Sequence, residues 1–273
     1  HFIVAEKLYE NIDYLEDKEI IRFKKIDLLE VLGRWDTLYE NAQELANELF
    51  GNGQYKQSIK YFALCRKYYE KIKYQNHACL LDIFYFELFA YHKIGMGAQQ
   101  KVLFSNYQQY LEIERSKGKR ELPIYHCALE KMYQARLSDS RKQYDLACEM
   151  FKYAKQNINK IVEELYVEIC YVFALIEKKY TSLTSAVQFL EEQKNMFPAS
   201  IELDIYYQSH EAAKYLNTNP TKAMVFYENI IKYSGISKRN NKNIGHAYVD
   251  ILTCCVLSEN WKLFEEKYLD ALE

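Results

Sequence analysis

The chain has 273 residues, 49% hydrophobic and 27% charged, a globular mixture that excludes an intrinsically disordered chain and is long enough to bury a sizeable core. A formal net charge of −2 supplies no global field for nucleic acid, and no apolar run approaches the ~20 residues of a membrane span. Eight glycines and three prolines are too few for strands joined by tight turns, so the composition points to an all-α chain of helices with short links.

Apolar residues recur at spacings of three and four along nearly the whole chain, which is the helix period. Taken in order, breaks fall near Gly33, Gly51–Gly53, Gly95–Gly97, Gly118, Ser138–Ser140, Thr181–Thr184, Pro198, Asn217–Pro220, Gly235 and Ser258–Asn260. The segments between them run to about 14–20 residues, a string of antiparallel helix pairs. "LGRWDTLYENA" (32–42) reads as a turn joining helices of successive pairs, and the glycines of "IGMGAQ" (94–99) as a helix-to-helix turn. Residues 95–120 fit no repeat. The basic stretches "RSKGKR" (115–120) and "KRNNK" (238–242) read as solvated loops.

No catalytic or cofactor motif emerges from the pass. There is no P-loop, no dinucleotide fingerprint and no nucleophile elbow. The pairs His77/Cys79 and His126/Cys127 lack the four-ligand spacing of structural zinc, and the adjacent Cys254 and Cys255 point about 100° apart on a helix. Acid pairs such as Glu163–Glu164 and Glu265–Glu266 read as solvated faces. No catalytic residue, metal site or cofactor is assigned, and the chain reads as a non-enzyme. Its seven cysteines, an odd number scattered through apolar text, read as reduced core thiols of a cytoplasmic protein.

One pattern repeats. "QYDLACEMFKYA" places Tyr144, Ala147, Phe151 and Ala154 on one helical stripe, "TSAVQFLEEQKNMFP" gives Ala186, Leu190 and Pro198, and "NPTKAMVFYENI" gives Ala223, Tyr227 and Ile230. "NWKLFEEKYLDA" adds Trp261, Phe264, Tyr268 and Ala271, so positions 147, 186, 223 and 264 stand 39, 37 and 41 apart. "GQYKQSIKYFALC" (53–65) is an N-terminal copy, and Ala46, Ala135 and Ala174 are small residues on the preceding helices. Helices approach to about 8–10 Å only where one side chain is small. These residues resemble the tetratricopeptide repeat, at a spacing longer than its ~34 residues, which leaves open another helical solenoid.

The resemblance implies a right-handed α-solenoid of antiparallel helix pairs over residues 1–273, about six to seven pairs in a single repeat domain. In such an array the first helix of each pair lines the concave groove. Registered on the second-helix small position, the groove receives Glu40, Gln43, Asn47, Arg136, Glu168, Tyr171, Lys178, Gln208, Tyr215 and His246. The resemblance thus implies a scaffold binding a peptide or protein partner, with no membrane and no direct nucleic-acid contact. Two further architectures share the layout: the peptide-sensing domain of a bacterial transcription regulator, and the repeat tail of a signalling ATPase. The opening His1, in place of methionine, is expected of a fragment of a longer chain. Trp261, Phe264 and Tyr268 are expected to be exposed on the last helix, giving self-association or docking of a further helix.

Overall fold

The computed structural model describes residues 15–73, 75–117, 122–138, 142–236 and 241–272. Among them it contains thirteen α-helices, two 3-10 turns and no strand. The chain divides into two compact units, residues 1–121 and 122–273.

The first unit holds α1 (Leu15–Val31), α2 (Trp35–Gly51), α3 (Tyr55–Tyr68), α4 (His77–Ile94) and α5 (Gly97–Ser116). Each helix packs on its neighbour in the chain, and α2 also meets α4. Gly33 and Gly95 end α1 and α4 in the left-handed region, at φ 63° and 75°, a conformation that costs glycine nothing. The tight turn at Gly95 starts α5 only two residues later, so residues 97–116 of the stretch that fits no repeat form one continuous helix of 20 residues. Leu38, Ala42, Leu45, Ala46 and Leu49 bury one stripe of α2 at the helical spacing. Phe62 and Cys65 of α3 and Leu88 of α4 are likewise fully buried. Burying a phenylalanine such as Phe62 contributes about 2–3 kcal/mol.

The second unit holds α6 (Ile124–Leu137), α7 (Gln143–Gln156), α8 (Glu163–Tyr180), α9 (Leu183–Met196), α10 (Ile201–Tyr215), α11 (Pro220–Ile236), α12 (Asn241–Leu257) and α13 (Trp261–Asp270). Consecutive helices again pack together, and contacts also join α6 to α8 and α8 to α10. Residues 165–170 of α8 are all buried, Glu168 among them, so this stretch of the helix is covered on every side. The repeated alanines Ala147, Ala186 and Ala223, on α7, α9 and α11, are each fully buried, as are Ala135 and Ala174. Side-chain caps start several helices: Ser182 Oγ accepts from the Ser185 N–H at 3.0 Å, and Asn219 Oδ1 from the Lys222 N–H at 3.1 Å.

Several breaks differ from the sequence reading. Gly235 lies inside α11, while 3-10 turns at Tyr69–Lys71 and Ile158–Lys160 open links at 69–76 and 157–162. Neither link contains glycine or proline, so the strongest local punctuation is missing there. Arg115 and Ser116 belong to the end of α5, and Asn241 and Lys242 begin α12. The remainder of the two basic stretches, apart from Lys117, lies outside the described residues, as do Asp139 and Ser140.

All seven cysteines are free. Cys65, Cys170, Cys254 and Cys255 are buried, whereas Cys79 and Cys127 are half-buried and Cys148 is exposed. Burial pushes the Cys65 and Cys170 thiols well above their ordinary range.

Candidate functional site

The predicted groove residues fall into a set of three in the first unit and a set of seven in the second. In the first, Asp36, Glu40 and Gln43 follow one stripe of α2, and they line a cavity of about 390 Å³ closed by Ile72, Lys73, Asn76 and Cys79. Asn47, one turn on, is exposed. Tyr39 also lines the cavity; it is buried, and its hydroxyl has no hydrogen-bond partner among the described residues.

In the second unit the side chains of α6, α8 and α10 meet over one face. Glu168 on α8 is buried, 1% exposed, and its Oε1 accepts the Tyr206 hydroxyl of α10 at 2.8 Å. The Tyr206 ring stacks on Tyr171 with centroids 4.1 Å apart and planes 18° apart. His210, one turn beyond Tyr206, presents its ring edge-on to Tyr171 at 6.4 Å. Arg136 on α6 completes the group. Burial pulls its pKa below the ordinary guanidinium value, against the opposing effects of Glu168, Tyr171 and Tyr206. Burial and the Glu168 carboxylate together hold Tyr206 well above the usual phenol range.

The proton inventory of His210 follows from its partner. Its Nδ1 lies 2.9 Å from the Tyr206 carbonyl oxygen; a carbonyl only accepts, so Nδ1 carries the hydrogen. Burial depresses the imidazole pKa and so favours the neutral ring, in which Nε2 is the acceptor. Nε2 is buried and has no partner among the described residues, and the same holds for Gln208 Oε1.

No family model matches this chain, and no curated protein matches it.

Of the predicted set in the second unit, Arg136, Glu168 and Tyr171 come together, and Lys178 is exposed on α8 but close enough to depress His210 further. Tyr215 is engaged with α11: its ring stacks on Phe226 at 6.0 Å and carries the Lys222 ammonium 3.7 Å above its centroid. Gln208 is buried on the same helix. His246 is exposed on α12; burial raises the Asp250 carboxyl one turn on, and His246 opposes that shift. The sequence register missed Tyr206 and His210. The signal was present in "DIYYQSHEAAKYL" (204–216), where aromatic, amide and imidazole groups crowd one helix. Their spacing of four places them on one side, and only the partner helix shows which side that is.

Among the described residues no group of three His, Cys, Asp or Glu side chains converges to hold a metal ion, and no helix is long and apolar enough to cross a membrane.

Proposed function

We propose that the chain is a non-catalytic scaffold of tetratricopeptide-like helix pairs that binds an extended peptide or a segment of a partner protein. The observation that carries this reading is the face shared by α6, α8 and α10. Contacts between helices two apart in the chain are what stacked helix pairs produce, because a single pair cannot bury its apolar stripe alone. On that face the half-buried Tyr171 and Tyr206 offer broad rings and Arg136 a guanidinium, while the buried Glu168 holds the Tyr206 hydroxyl from beneath. Rings supply anchor area, while a guanidinium grips the carbonyl groups of a peptide main chain.

The test is fluorescence polarisation of a peptide array against the full chain, followed by Arg136→Met and Tyr171→Ala variants. A bound peptide at 100 times its Kd raises stability by about 2.7 kcal/mol, and both variants should lose that gain while still folding. Peptides that bind both variants as tightly as the parent would remove this face from the function.

The same reading gives α13 to self-association. Trp261 is 60% exposed, Tyr268 49% and Leu272 68%, while Leu263 and Phe264 pack on the core of α10–α12. A second copy covering the outer stripe predicts a dimer in sedimentation velocity that Trp261→Lys converts to monomer.

A further inference from the structure

We infer that the cleft lined by α3, α4 and α5 is a site for a monocarboxylate, held by the free edge of the Arg66 guanidinium and by the Tyr91 hydroxyl.

The cleft has a volume of about 420 Å³, in the range of small-ligand sites. Its lining includes Arg66 of α3, Glu87 and Tyr91 of α4, and Ala98, Val102 and Asn106 at four-residue spacing along α5. The Arg66 guanidinium is fixed on two sides. Nε donates to Glu87 Oε2 at 2.5 Å and Nη2 to Oε1 at 2.9 Å, and the group lies over the Phe84 ring, 5.4 Å from its centroid. A guanidinium carries five N–H donors in one plane. Glu87 takes two, and the three on the Nη1–Nη2 edge have no partner among the described residues. The Arg66 side chain is 25% exposed and that of Glu87 0%, so a ligand meets the guanidinium and not the carboxylate behind it. Tyr91 is half-buried. Burial and then Glu87 raise its phenol, and Arg66 lowers it, so it stands beside the same ion pair. Its hydroxyl has no hydrogen-bond partner among the described residues and is not among the buried polar atoms.

Stability alone explains the Arg66–Glu87 pair poorly. Taking a carboxylate out of water is costly, and packed apolar residues often replace a buried ion pair without loss. What the pair supplies is orientation. It holds a guanidinium edge with little rotamer freedom, which is what bidentate recognition of a carboxylate needs. Other ligands fit less well. A dianion such as phosphate would find a single arginine whose charge Glu87 already offsets. A cation would need Glu87, which is covered and doubly bonded. One carboxylate matches the free N–H donors and the phenol, and the exposed Ala98 and Val102 give a short apolar body a surface.

The experiment is isothermal titration of the full chain with N-acetyl-leucine, with N-acetyl-leucinamide as the uncharged near-isostere. The expected result is saturable binding of the acid, with the amide at least about tenfold weaker, the scale of a lost charged hydrogen bond. Arg66→Lys keeps the charge but loses the fork, and should weaken the acid by about tenfold. Asn106→Asp adds a carboxylate at an exposed position of the wall. It should weaken the acid by about threefold with an unchanged melting temperature, and it decides the matter if Arg66→Lys does not fold. Equal binding of acid and amide, no saturable binding, or parent-like binding by Asn106→Asp or by a folded Arg66→Lys would overturn the site. Arg136→Met, in the second unit, should leave binding of the acid unchanged, so this cleft stands or falls apart from the face on α6, α8 and α10. Loss of binding in that variant would move the carboxylate to that face and overturn the cleft. An N-acetylated Ala-Ala-Leu peptide with a free C-terminus separates the sources. Tighter binding than N-acetyl-leucine supports a carboxylate at the end of a peptide, and equal or weaker binding supports a free small acid.

Discussion

Aromatic rings fill the space between helices in both units, Phe151 meeting Phe173 at 5.1 Å and Phe189 at 4.9 Å in the second, but only in the second do buried alanines recur on alternate helices and let them close on one another. Phe50 of α2 meets Tyr55 at 5.3 Å and Phe86 at 5.2 Å, and Phe62 lies nearly parallel to Phe86 at 6.0 Å. Beside them Arg66 forks onto Glu87, Nε to Oε2 at 2.5 Å and Nη2 to Oε1 at 2.9 Å, with the Glu87 side chain fully buried. The first unit has buried alanines too, Ala42, Ala46 and Ala90, but no repeated spacing along successive helices. In the second unit Ala147, Ala186 and Ala223 recur on alternate helices, and the polar groups pair across helices: Tyr166 donates to Gln193 Oε1 at 3.0 Å, and Tyr144 to Glu177 Oε2 at 2.9 Å. The difference teaches that two packing solutions have opposite weaknesses. A ring-filled interface fails when side chains shrink, and a small-residue interface fails when they grow.

The largest expected effect is Phe62→Ala. It should cost about 4 kcal/mol by cavity formation, read from urea unfolding, with hydrogen exchange placing the loss in α2–α4. Glu87→Ala comes next, at about 3 kcal/mol, because it leaves Arg66 without its carboxylate in a largely dry setting. Burial raises the Glu87 carboxyl above its ordinary range despite Arg66, so Glu87→Gln, which keeps the shape and drops the charge, should cost less than Glu87→Ala. In the second unit Ala186→Leu should cost about 2 kcal/mol by overpacking, and Ala186→Gly about 1 kcal/mol from helix propensity alone. If leucine were tolerated better than glycine, the contrast between the units would collapse.

The smallest effect is a pH slope. The folded-state pKa of His210 lies below its unfolded value of about 6.5. Burial lowers it most, the bond to the Tyr206 carbonyl partly raises it, and Lys178 lowers it further. The unfolded chain then binds the proton more readily. The His210 contribution is therefore complete above about pH 6.5 and is lost as pH falls below that, through the folded value. Urea midpoints between pH 7.5 and 5 should fall less steeply for His210→Gln than for the parent.

Helix text was legible almost everywhere, because the three–four apolar spacing of α2 or α9 is a property of consecutive residues. Links marked by Gly33, Gly95 or Asn219 were legible for the same reason. The links at 69–76 and 157–162 were not, since nothing local forbids a helix from continuing through them. Arg136, Glu168 and Tyr171 were placed by repeat register. Tyr206 and His210 were missed because a register fixes position along a helix but not which neighbour that side will face. Cys148 departs from the expected core thiols because it lies on the exposed side of α7.

From the sequence alone came the all-α class, the scarcity of turns and the recurring alanines, since each is written in adjacent residues or in a single spacing. Only the tertiary structure decided that Glu168 would meet Tyr206, 38 residues away, that α5 would run unbroken, and that Tyr39 would lie buried in a cavity wall. Those outcomes depend on which helix faces are brought together. That choice is made by the fit of whole surfaces, and no short window of residues contains it.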